Sequence, residues 1–170
     1  MREIIREIIE DLNIEVNYQQ YNLRNQSDFY INEVIKTLFA TKGTKLGYKN
    51  ASKKNILANL DFLFDDVVAQ FDLEWFKLVE EDNLSIKTVS LVLESKLDSY
   101  DFDEFKLDFT KFIEEKNATK VFVTLNKSIK EKVKFIQKLI DDNIFFSLND
   151  NLYLIIYCQS ENGEFLLKEF

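Results

Sequence analysis

The sequence predicts an α+β fold: an N-terminal helical half packed with a C-terminal mixed or antiparallel sheet. Three observations predict it. Apolar residues recur at helical spacing through most of residues 2–115. The period changes to strict alternation at Val121, Val123 and Leu125. After one more amphipathic helix come two apolar runs with turn residues beside them, LYLIIYC and EFLLKE. The last third therefore reads strand–helix–strand–strand–strand, and helices first with strands last is an α+β arrangement. A chain of 170 residues is expected to form one domain, with sub-lobes at 1–117 and 118–170 as the natural division.

Each element has its own signal. Ile4, Ile5, Ile8, Ile9 and Leu12 form one stripe of a helix over 2–12, with Asn13 as a left-handed stop. Ile14, Val16 and Tyr18 alternate and predict a short strand, followed by a polar loop over 19–26. Ser27 is an N-cap for a helix carrying Ile31, Val34, Ile35, Leu38 and Phe39, with Gly43 as terminator. The lysine-rich stretch 42–54 reads as a solvated loop. Ser52 caps a helix over 53–71, and Asp72 caps a short one over 73–81 that holds Trp75, Phe76 and Val79. Residues 85–98 fit a helix through Ile86, Val89, Leu93 and Leu97, although KTVSLVLES also reads as a buried strand. Asp101 and Glu104 make a capping box for an aromatic helix over 102–115. A strand at 119–125 precedes a second capping box, Ser128 with Glu131, and a helix through 141. IFFSL and the doubly apolar LYLIIYC follow as strands, the latter expected in the sheet interior.

Composition narrows the chemistry. There is no histidine, which excludes Ser-His-Asp and Cys-His nucleophile systems and histidine-containing zinc sites. Three glycines cannot build a dinucleotide fingerprint or a P-loop. Cys158 is the only cysteine, so no intramolecular disulfide forms, and its apolar strand marks it as a packing residue. The N-terminal stretch carries charges every few residues, unlike a secretory leader, and no apolar run reaches membrane-spanning length. The expectation is a cytoplasmic protein without cofactor or metal.

Charge is the most uneven property. The net charge is −8, yet residues 61–110 alone carry fourteen acids against four lysines, while 34–60 carry six lysines and no acid. A pI near 4.7 argues against direct nucleic-acid binding. Aromatics are threaded through the acids. The leading functional expectation is a non-enzymatic acidic binding protein: an immunity protein or inhibitor, or a DNA mimic, docking electrostatically on a basic toxin or nucleic-acid-handling enzyme. Its contact residues would be Asp61, Asp65, Asp72, Glu74, Asp101, Glu104 and Asp108, with Trp75 as aromatic anchor. The competing reading is a Mg²⁺-dependent nuclease. Asp82 and Glu94 would hold the ion and Lys96 would position or activate water, provided that 88–95 is a strand. A structural subunit using an aromatic surface is a third reading. A winged-helix DNA binder built on the terminal helix is a fourth, disfavoured by the zero net charge of 111–170.

Overall fold

The computed structural model describes residues 1–17, 26–52, 69–81, 84–97, 101–114, 118–142, 151–159 and 163–170. These form four helices and six strands: α1 (Arg2–Asn17), α2 (Asp28–Lys45), β1 (Lys49–Ala51), β2 (Leu73–Glu81), β3 (Leu84–Lys96), α3 (Phe102–Ile113), β4 (Thr119–Leu125), α4 (Ile129–Asp142), β5 (Leu152–Cys158) and β6 (Glu164–Glu169). The class is α+β. The strands lie in sequence order in one mixed sheet. β1, β2 and β3 run antiparallel, β3–β4 and β4–β5 are parallel, and β5–β6 is antiparallel. Each parallel step needs a crossover, and α3 and α4 supply them.

Strand alternation divides the core between the two sheet faces. Leu91 and Leu93 of β3, Leu97 just beyond it, and Val121 and Val123 of β4 pack under α1 and α2. Val92 and Phe122 point the other way, under α3 and α4. On that face Phe122 is ringed by Phe109 (5.2 Å), Phe112 (5.3 Å) and Phe105 (5.6 Å). The expected interior strand is found: β5 is buried along its whole length between β4 and β6.

Several local expectations are corrected. The strand expected at 14–18 is helical through Asn17. Val16 continues the buried stripe Ile5, Ile8, Ile9, Leu12, so helical periodicity outweighs a three-residue alternation. Asn13 does not stop the helix. Its amide donates to the Phe165 carbonyl and accepts from the Phe165 N–H, clasping α1 to β6. Gly43 does not terminate α2 either, since the left-handed residue is Gly47 (φ 81°). Gly43 is needed for contact: a Cβ there would lie 2.6 Å from the Trp75 indole nitrogen. The loop reading of 42–54 missed the three-residue β1. Ser128 adopts φ 53°, not the extended backbone of an N-cap. The largest correction concerns the helices expected over 73–81 and 85–98: residues 73–81 and 84–96 form the β2–β3 hairpin instead. The helix expected over 53–71 lies almost wholly outside the described residues, as do the loop at 19–26, apart from Gln26, and the strand at IFFSL.

α4 carries a titratable core residue. Lys132 is 4% exposed, donates to Thr124 Oγ1 (2.8 Å) and the Leu125 carbonyl (3.3 Å), and lies over the Phe105 ring. Burial, with the charge of Lys127 second, lowers its pKa from 10.5 to about 8. Between those two values the unfolded chain binds more protons than the native one, so this group makes stability rise with pH. Below about pH 8 its charge is a constant liability, and above it the liability fades. Lys132→Met is expected to gain roughly 1–2 kcal/mol at pH 7. In urea titrations the variant should also lack the increment that the native chain gains between pH 8 and 10. A destabilised variant with the same pH profile would refute this.

Candidate functional site

The site forms where β2 begins and β3 ends. The two strands pair antiparallel with Leu73 opposite Leu93, so one step further Asp72 comes opposite Glu94. Two residues along β3, Lys96 shares the Glu94 face, because side chains alternate with period two. The carboxylates interlock with the backbone. The Asp72 N–H donates to Glu94 Oε2 (3.3 Å), and Asp72 Oδ2 accepts from the Ser95 N–H (3.0 Å). The Ser52 hydroxyl donates to the Asp72 carbonyl (2.7 Å). Both acids are thus held by main-chain contacts rather than left on free side-chain rotors.

Lys96 completes the group. Its Nζ lies 3.4 Å from Glu94 Oε1 and 3.7 Å from Asp108 Oδ2 on α3. Burial alone would lower its pKa, but the charges of Glu94, Asp108 and Asp72 outweigh burial and raise it above the ordinary lysine value. Lys96 is therefore an ammonium at neutral pH. Three carboxylates around one ammonium leave a local excess of two negative charges, with Glu94 only 8% exposed.

On the sheet face opposite Glu94 lies α2. Phe29, Asn32, Glu33 and Lys36 recur at i, i+3, i+4 and i+7, a second helical stripe beside the apolar one. With Asp28, Asp72, Ser95 and Lys96 they line a cavity of about 230 Å³. Asn32 Oδ1 accepts from the Ser95 hydroxyl (2.6 Å), tying α2 to the end of β3. Glu33 and Lys36 form a buried ion pair in the cavity wall. Such a pair adds little stability compared with apolar packing.

The sequence-derived residues separate clearly. Asp72, Glu94, Lys96 and Asp108 are brought together. Glu74 and Trp75, expected on an exposed docking face, are buried. Strand alternation sends Trp75 beneath α2, between Phe39 and Tyr48. Glu74 faces the other way, and its Oε1 accepts from the Gln70 N–H (2.6 Å) at the turn entering β2. Asp101 and Glu104 form the expected capping box of α3. Asp61, Asp65 and Asp82 lie outside the described residues. Among the described residues the acid opposite Glu94 is Asp72. Its link to Glu94 requires the hairpin and cannot be seen in local spacing. The α2 stripe was legible as a helical repeat of polar residues adjoining an apolar one.

Among the described residues no group of three or more His, Cys, Asp or Glu side chains is arranged to hold a metal. The donor set here is a pair of carboxylates. Mg²⁺ is commonly held by one or two carboxylates, with water and substrate phosphate filling the remaining positions. Among the described residues no helix is long and apolar enough to cross a membrane. Comparison with protein-family models, with curated proteins and with solved structures finds no match to this chain.

Proposed function

We propose that the protein is a divalent-cation-dependent phosphodiesterase acting on nucleic acid, with Asp72, Glu94 and Lys96 as its reactive group. One observation carries this reading: at the β2–β3 end Glu94 accepts from the Asp72 N–H, a lysine lies 3.4 Å from Glu94, and Asp72 and that lysine open on a cavity. Asp72 and Glu94 would hold Mg²⁺ on oxygen. The bound ion would neutralise the phosphate oxygens and make a coordinated water acidic. Lys96 is protonated, so it does not accept the proton of the attacking water. Its ammonium stands ready to stabilise charge gathering on the phosphoryl oxygens. Asp108 and Glu94 hold that ammonium in place. The acidic pI is compatible with this substrate, because the cation and Lys96 meet the phosphate locally.

The test is incubation of the purified protein with end-labelled DNA and RNA strands, with Mg²⁺ or Mn²⁺ and then with EDTA. Cleavage that needs the ion and vanishes in Lys96→Met is expected. Intact strands with both metals would sink the proposal.

A second reading retains the acidic binding protein. It is supported by the outer face of α3, where Asp101, Asp103 and Glu104 are exposed beside Leu107, itself 59% exposed. Such a face suits a basic partner protein, as an immunity protein or toxin inhibitor requires. Its mark is partner association that weakens steeply with salt. Association indifferent to salt would count against it.

A further inference from the structure

We infer that Phe29 is a base-stacking residue, and that the site therefore prefers single-stranded or unpaired nucleic acid. The inference rests on the phosphodiesterase reading and specifies its substrate. Phe29 occupies the first turn of α2 and is 70% exposed, although it is among the largest apolar side chains in the protein. It does not belong to the core stripe of its helix. Two residues before Ile31, it lies about 200° around the axis, on the face of Asn32, Glu33 and Lys36. That face lines the cavity, and Phe29 lines it together with Asp72, Ser95 and Lys96. The fold leaves this ring largely exposed, and it shares the cavity with the Asp72 carboxylate and the Lys96 ammonium.

A nucleotide whose phosphate reaches Asp72 and Lys96 in this cavity carries its base within a few ångströms of the phosphate. Every base offers an aromatic face, so an exposed ring at that distance binds without sequence preference. In a duplex both faces of an interior base are already covered by its neighbours. Stacking on Phe29 would require the base to leave the helix, at a cost of a few kcal/mol. A single strand, a frayed end or a loop presents the base freely.

The experiment measures binding as well as cleavage. Binding of a fluorescent 12-nucleotide strand is followed by anisotropy in Ca²⁺, alongside the same strand in duplex form, each as DNA and as RNA. Cleavage of all four is followed in Mg²⁺. Native protein is expected to bind and cut single strands better. Phe29→Ala should weaken single-strand binding roughly 10- to 100-fold and erase the preference, and Phe29→Trp should restore it. The DNA and RNA arms show which sugar the site accepts. If single strands are cut equally well by Phe29→Ala, the stacking inference falls and the phosphodiesterase reading stands. Preference for duplex also overturns the inference. If the native protein neither binds nor cuts any of the four, both fall together.

Discussion

Asp72→Asn and Glu94→Gln are each expected to reduce metal-dependent cleavage by about 1,000-fold or more while leaving the chain folded. Both substitutions preserve shape and remove one negative charge. The two acids accept main-chain hydrogen bonds, the Ser95 N–H at Asp72 and the Asp72 N–H at Glu94. An amide oxygen can still accept those bonds, so the β2–β3 junction should survive. What is lost is the charge that binds the ion and part of the field that keeps Lys96 protonated. The double variant should be hardly worse than either single one, because groups that act as a unit are not additive. Circular dichroism and urea titration would establish folding, and single-turnover cleavage would give the rate. A variant with native rate would remove that residue from the site.

Phe122→Ala is expected to destabilise the protein by about 3–5 kcal/mol. Phe122 is fully buried on the middle of β4 and contacts three other phenylalanines of α3. Truncation leaves a cavity among rigid rings, and rings held by neighbours on both sides collapse poorly into it. Native stabilities are of the order of 5–15 kcal/mol, so this one change consumes much of the total. It also reaches the site. Phe122 pairs with Glu94 in the parallel β3–β4 register, and the helix it supports carries Asp108. Loss of activity should therefore accompany loss of stability here, unlike in Asp72→Asn. Phe122→Leu should recover most of both. A loss below about 1 kcal/mol for the alanine variant would contradict the packing account.

The contrast between these two variants follows from what the sequence discloses. The Phe105–Phe109–Phe112 stripe and the alternation at 121–125 were legible, because their period reports directly which side is buried. β5 was legible because its seven apolar residues leave no polar face. The β2–β3 hairpin was not. In LEWFKLVEE the adjacent Trp75 and Phe76 enter opposite cores, which a helix pattern imitates with residues close in sequence. In β3 the register steps from Trp75–Leu91 to Phe76–Val89, leaving Ser90 without a cross-strand partner and breaking the alternation. The site inherits the same obscurity. Glu94 and Lys96 stand two apart and could be read as a pair. Asp72 is twenty-two residues earlier and joins them only through antiparallel pairing. Within the acid-rich stretch 61–110, the fold gathers Asp72, Glu94 and Asp108 around Lys96. Glu74 meanwhile holds a turn and Trp75 fills the core.

The central claim is that Asp72 and Glu94 form a divalent-cation site. Mn²⁺ binding followed by electron paramagnetic resonance, native protein against the Asp72→Asn/Glu94→Gln double variant, addresses it most directly. The native chain should take up one ion that the folded double variant does not, with Mg²⁺ competing for it. Equal Mn²⁺ uptake by both proteins, or none by either in the presence of a single-stranded oligonucleotide, would contradict the account.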